Sequence, residues 1–567
     1  MQISAKRDSS KQFNYLLLVL TSIHIAAGAF FAYGRYSGVP HWDSWEAMLG
    51  FMNNHQQEDF FYWFSQHYEH RIFITRVLFW IDYVLFNGNN LFLIILNYVF
   101  TAIYCLLSII MVKDIFANKN LSNIGDSDTS KFSRNYLMSL VVIFSFSQLQ
   151  NENLNWEFQS QFILAYLIPI LSFYFLGKYS ADSKNSSTAF VLSCIFGILS
   201  AGTMANGVLA LPAATIMALT LRLKRDKILI LLGLSIAILL LYFHDYHKPE
   251  KHTSIEALFD YPFEITIYLI TYLGSAFEFM LEFQDVLLLG TLFLALSTRS
   301  VWRMITGKEK NWTNIALTIF LSYIVLSGAI TAVGRIAGSY IPLNSEMLDA
   351  FPSPPNSGRY KTPTLMGWLT IIILYSNAIT RFIRICKANK YIALIVPLYF
   401  ITYQILILDM RYAGKIIFEK QVSVLSLELG IKDEKQITKK EALIHGYISW
   451  MDNVKKASDS NISIFNDDLI RDVKQEIGKR TVNKKDISIR SYIHCTDTSI
   501  IKAKVRKISG EGTFRKIEGL LTEENAVDKG AGSLYIINDI DKVAGYAIIH
   551  KDSGKFKGYI NSKERCR

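Results

Sequence analysis

Residues 13–33 read FNYLLLVLTSIHIAAGAFFAY, and residues 38–71 just after them read GVPHWDSWEAMLGFMNNHQQEDFFYWFSQHYEHR. A run as long and as nearly uncharged as the first is a membrane span. The second sets Asp43, Glu46, Glu58, Asp59 and Glu69 beside His41, His55, His67 and His70, with Trp and Phe between them. A connection that merely joined two spans would not need so many ionisable groups among aromatics. Together the two runs predict the wall of an active site held at a membrane surface.

Working outward, apolar blocks continue to about residue 409. The chain has 567 residues, 51% hydrophobic and 13% aromatic, with a mean hydropathy of +0.23, a combination that soluble domains of this length seldom show. Spans are read at 13–33, 90–112, 136–147, 161–176, 188–200, 208–221, 228–243, 286–297, 313–333, 364–380 and 391–408. Several fall short of the roughly 20 residues that a perpendicular helix needs, so their edges extend into flanking residues. Residues 265–281 read as a further span or as a helix lying in the interface, since Glu278 and Glu282 stand near their end. The first run is too long for a cleavable leader and lacks a small-residue cleavage site, so it reads as an uncleaved anchor.

The formal net charge of +11 does not point to nucleic acid, because Lys and Arg gather in short connections between apolar blocks, the pattern that orients a membrane protein. Lys6, Arg7 and Lys11 precede the first span. Later clusters include Lys113 and Arg134, Arg222 to Lys227, Arg299 to Lys310, and Arg381 to Lys390. About eleven spans place every cluster on the cytosolic side and the C-terminal part outside. The expected fold is therefore an α-helical polytopic membrane protein with a C-terminal extracytoplasmic α+β domain. Residues 1–409 form the multi-span domain, with a catalytic first outer loop at 34–89. Residues 410–567 form the outer domain, helical over 410–483 and β-rich over 484–567, where alternating apolar residues and turn signals predict a small β-sandwich of about five strands.

Asp43 stands before Ser-Trp-Glu-Ala, so it reads both as a base that takes a proton from a hydroxyl and as an N-cap completed by Glu46. His67 and His70 are spaced to share a helical face. Glu69 between them could hold a metal, a sugar hydroxyl or Arg71; the structural alternative pairs it with Arg71 or Arg76 at headgroup level. Glu152, Asn155, Trp156 and Glu157 surround one indole with amides and carboxylates, as a sugar-binding edge would; the alternative is a polar helix end facing water. Arg335 with Arg359, Tyr360 and Lys361 fall in an outer connection, where cations need a reason. Gripping a phosphate is one, and pairing with acids of the first outer loop is the other. Residues 204–207 (MANG) allow a tight turn or close helix packing. Cys105, Cys194 and Cys386 read as packing residues. Cys495 and Cys566 share the outer domain, where an oxidising compartment would let them pair, although no spacing signature calls for it. No CxxC, HExxH or P-loop pattern occurs.

The elements HWDSW, EHR, NLNWE, MANG, GR and SGRY, with a first span, an acidic first outer loop and a soluble part after the last span, resemble the GT-C class of membrane glycosyltransferases. That resemblance implies a polyprenyl-phosphate-linked sugar donor, a glycan or lipid acceptor, and a site at the outer face of the cytoplasmic membrane. It makes Asp43, Glu46 and Glu69 the catalytic carboxylates, with Asp43 matching the essential acid of the first loop. It gives substrate binding to His70, Arg71, Glu152, Asn155, Trp156, Glu157, Arg335, Arg359, Tyr360 and Lys361. A divalent metal stays open as a cofactor, because the first loop carries no clear DxD or ExD pair. Membrane lipids are partners, and nucleic acid is not. A transporter or flippase of a lipid-linked glycan is the rival, and it calls for polar residues at mid-span. A polymerase or ligase of surface polysaccharide would use the same donors.

Overall fold

The structure is a computed structural model that describes residues 2–118, 127–181, 187–249, 256–335, 358–385, 390–438, 447–479, 490–494, 506–507, 514–521 and 532–563. Cys386, Cys495 and Cys566 lie outside the described residues, as does the disulfide considered for the last two. The chain divides into two compact units, one of residues 1–29, 64–75 and 95–407, the other of residues 30–63, 76–94 and 408–567. The C-terminal unit therefore begins at 408 but also takes in most of the first loop.

The first unit is helical. Among the described residues six helices are long and apolar enough to cross a membrane: Gln12–Arg35, Leu91–Ala117, Glu157–Ala181, Arg225–Phe243, Phe283–Ile305 and Trp312–Arg335. The number is seven if Ile392–Leu406 and Met410–Glu428 count as one bent span. Other apolar runs form shorter helices, such as Ser187–Ser200 and Ala205–Thr220. Residues 364–380 divide between Lys361–Leu374 and Ser376–Ile385, and the uncertain run at 265–281 becomes Pro262–Gly274 followed by the 3-10 turn Ser275–Met280. Burial sorts the helices. The most apolar stretches of Glu157–Ala181 and Trp312–Arg335 are 83% and 67% buried, against 17% for Arg225–Phe243. The first two form the interior, and the third turns apolar side chains outward, as a lipid-facing helix does. Helices Pro262–Gly274 and Phe283–Ile305 meet closely: a Cβ at Gly290 would stand 1.9 Å from the Ile270 carbonyl oxygen. Only a small residue allows such an approach.

The second unit holds the sheet. Its strands are β1 (Arg490–His494), β2 (Arg506–Lys507), β3 (Phe514–Leu520), β4 (Ser533–Ile537), β5 (Val543–Ile549) and β6 (Lys555–Asn561), in the order β1-β4-β5-β6-β3-β2. β1 runs parallel to β4, and every other pair is antiparallel. This corrects the sandwich: the described strands make one six-stranded sheet. Alternation shows that a strand has two faces but not whether a second sheet covers one of them. Ile517, Leu534, Ile536, Ala547, Ile549 and Phe556 form an apolar core cluster. Elsewhere on the sheet, Tyr559 donates to Asp433 (2.9 Å), and Lys516 reaches Asp433 and Gln436 (2.8 Å each). β5 is buried at every position, which explains its near-continuous apolar sequence.

Candidate functional site

In the first unit the site is built on three short segments. The first is the turn His67–His70. It is not helical: His67 and His70 exchange main-chain hydrogen bonds (2.7 and 2.9 Å), with Tyr68 at φ 50°. The shared helical face expected for the two histidines is thus replaced by a tight turn that presents Glu69. Arg71 anchors this turn. Its Nε donates to the Tyr242 carbonyl (2.8 Å), one terminal nitrogen to Phe64 (2.8 Å) and the other to His244 (2.6 Å). A guanidinium spread over three carbonyl oxygens clamps the turn in place.

Glu69 Oε1 lies 2.6 Å from Arg335, while His70 Nε2 lies 3.5 Å from the same oxygen. The main-chain N–H of Ala205 donates to His70 Nδ1 at 3.1 Å, so the proton of neutral His70 sits on Nε2, facing Glu69. Arg335 thereby takes the alternative of pairing with an acid of the first loop. Tyr246 offers its hydroxyl to the Glu69 carbonyl at 3.4 Å; burial first, then the Glu69 charge, push its pKa up, against Arg71. The MANG segment closes the turn next to His70. A Cβ at Gly207 would meet the Ser200 carbonyl oxygen at 1.9 Å, the close approach that the small residues allow.

The second segment, residues 147–161, is a polar plug and not a surface loop. Trp156 is only 4% exposed, and Glu157 is buried as well. The buried indole offers no open face for a sugar to stack on. Asn155 accepts from Tyr98 (2.9 Å) and donates to Gln148 (2.9 Å), which donates back to Tyr98 (3.0 Å). This closed ring accounts for Asn155 as a structural residue.

The third segment is the turn Gly358–Tyr360 and the start of the next helix. The Arg359 N–H donates to Glu152 (3.0 Å), and Asn153 donates to the Arg359 carbonyl (2.7 Å). Lys361 is buried, with its Nζ 2.5 Å from Glu278 and 3.1 Å from the Ser275 carbonyl. Burial lowers its pKa, and Glu278 opposes that shift. A cleft of about 380 Å³ opens here, lined by Leu149, Asn151, Glu152, Glu278, Phe279, Gly358, Lys361 and Tyr403. In the same turn, the Arg359 guanidinium stands over the Tyr360 ring, 5.5 Å from its centroid. Its Nε is buried without a hydrogen bond, and the group makes no ion pair among the described residues. Tyr360 is within electrostatic reach of Arg335, so the turn links the cleft to the Glu69 centre. Glu278 was the member least visible beforehand. Its carboxylate interrupts an apolar run, and that interruption was the signal.

Asp43 and Glu46 belong to the other unit. Asp43 starts the helix Ser44–Ala47 through its main-chain carbonyl, with no side-chain cap. The capping-box reading is therefore not realised. Trp45 is fully buried against Phe465 (6.4 Å), and Glu46 is exposed. Burial raises the Tyr62 pKa, Arg76 lowers it and Glu46 adds to the rise. Among the described residues no group of three or more His, Cys, Asp or Glu side chains could hold a metal, so no ligand set for a divalent ion can be named. No protein-family model, curated protein or solved structure matches the chain.

Proposed function

We propose that the chain is a membrane glycosyltransferase that moves a sugar from a polyprenyl-phosphate donor to a glycan or lipid acceptor of the cell envelope. The observation that carries this reading is the Gly358–Lys361 turn, which gives Gly358 and Lys361 to the lining of a polar cleft and carries between them Arg359, whose guanidinium stands over the Tyr360 ring and makes no ion pair among the described residues. A lipid phosphate is a good leaving group, so it needs its charge neutralised more than it needs a proton. Arg359 supplies that charge. Lys361 is committed to Glu278 and shapes the cleft. Arg335 becomes available only when Glu69 lets it go. Asp43 takes the acceptor proton late in the displacement, when the oxygen already bonds to carbon. In this reading about eleven apolar segments lie in the cytoplasmic membrane, with the C-terminal unit outside.

The test uses the purified full chain with a radiolabelled polyprenyl-phosphate sugar. Asp43→Asn abolishes transfer while leaving expression intact; full activity would remove Asp43 from the mechanism. Arg359→Ala raises the donor KM about tenfold or more, as a charge-assisted hydrogen bond worth about 1.5–3 kcal/mol requires, and leaves the acceptor KM alone. Equal effects on both would count against phosphate binding there.

One observation favours a second reading, carriage of a lipid-linked glycan. His24 lies within the first candidate span, fully buried, and its carbonyl accepts from Gln404 at 3.2 Å. Polar groups inside spans mark pathways. Movement of the glycan across vesicles without a new glycosidic bond would decide for it.

A further inference from the structure

The geometry points to an in-plane docking surface for a lipid bilayer, formed by the helix Phe73–Phe86 and the aromatic turn Phe60–Phe64. The helix is inside-out. Its only charged residues, Arg76 and Asp82, are buried along with Phe79, whereas Trp80, Val84, Leu85 and Phe86 face outward and Leu85 is 68% exposed. A helix on a water-soluble surface has the opposite arrangement. With 14 residues it measures about 21 Å, too short for a hydrocarbon core of roughly 30 Å. A helix that cannot cross and cannot face water lies along the interface, with its apolar side toward the acyl chains.

The buried polar residues hold this surface together. Arg76 donates to the carbonyl oxygens of Tyr62 and Trp63, both at 3.0 Å, and so ties the aromatic turn to the helix. Trp63 and Trp80 meet edge to face at 6.4 Å. Phe60 and Phe61 at the tip point outward, the latter 80% exposed. At the other end, Asp82 accepts the Asn90 N–H at 3.3 Å and fixes the corner into Leu91–Ala117, a helix apolar and long enough to cross a membrane. That helix carries its own outward stripe of Leu91, Ile95, Val99 and Ile103. The occupant is therefore a bilayer, because the chain passes from this helix directly into one that is long and apolar enough to cross a membrane.

The test reconstitutes the full chain in phospholipid nanodiscs whose acyl chains carry bromine either near the ester end or near the methyl end. The Trp80 signal is the difference in emission between the wild type and Trp80→Phe. It is expected to be blue-shifted and to lose most of its intensity with the shallow bromines and little with the deep ones. Phe61→Trp provides a second reporter that does not depend on removing Trp80, and its added emission should be quenched in the same order. Emission at the wavelength of water-exposed tryptophan, unquenched by either lipid, overturns the proposal. Stronger quenching by the deep bromines also overturns it, because the helix would then cross the membrane.

Discussion

Lys361 is a cation where water hardly reaches, and among the described residues its carboxylate partner is Glu278. Removing one partner of such a pair leaves the other charge uncompensated, so Glu278→Ala should cost about 3 kcal/mol of stability, read as a lowered Tm in detergent. Lys361→Met should cost less, because the Glu278 side chain keeps 30% exposure and water can solvate it. The pair also sets a pH dependence. Burial lowers the Lys361 pKa in the folded protein, so between that value and the ordinary one near 10.5 the unfolded chain binds more protons. Stability contributed by this residue rises with pH across that window. The penalty is fully present below the lowered pKa and relieved above the ordinary one. Wild type should gain Tm relative to Lys361→Met as the pH climbs through that alkaline range. Arg71 tests geometry in place of charge. Its three carbonyl contacts fit a planar fork that an ammonium cannot imitate, so Arg71→Lys should recover less than half of the loss of Arg71→Ala, about 2 kcal/mol, by thermal melting.

At the level of elements, helix crossings leave no room at chosen positions. The Gly290 Cβ position stands 1.9 Å from the Ile270 carbonyl oxygen, so Gly290→Ala should push two helices apart at a cost of about 1–3 kcal/mol. Loss of monodisperse protein in size-exclusion chromatography, with lowered Tm, would report it. An unchanged Tm would show that the crossing relaxes freely. Much of this level could be read from residues. The apolar blocks announced the helices, and MANG announced a tight backbone approach. The polar plug at 147–161 could not be read, because a run of amides looks the same facing water or facing other amides. Only the Tyr98–Asn155–Gln148 ring tells them apart. Likewise, alternation in the last hundred residues predicted strands, while their pairing into one sheet depends on partners far along the chain. Arg335 in an outer connection predicts pairing with an acid of the first loop, but nothing local in the sequence selects Glu69.

For the molecule as a whole, orientation is the property that sequence charge predicts and the helices leave undecided. A reporter fused after Arg567 should be active only outside the cytosol, and a cytosolic signal would overturn the arrangement drawn from the Lys and Arg clusters. The division into units was invisible in hydropathy, since residues 34–89 read as one outer loop of the membrane part and residues 90–112 as a span. The partners of segments 30–63 and 76–94 lie beyond residue 408. This interleaving bears on biosynthesis. A ribosome that has finished 30–63 and 76–94 must still make everything up to residue 408 before the rest of their unit exists, so those segments wait exposed while later ones emerge. Chains truncated after Ile407 should carry them as protease-sensitive stretches, and in the full chain their protection should arrive only after translation ends.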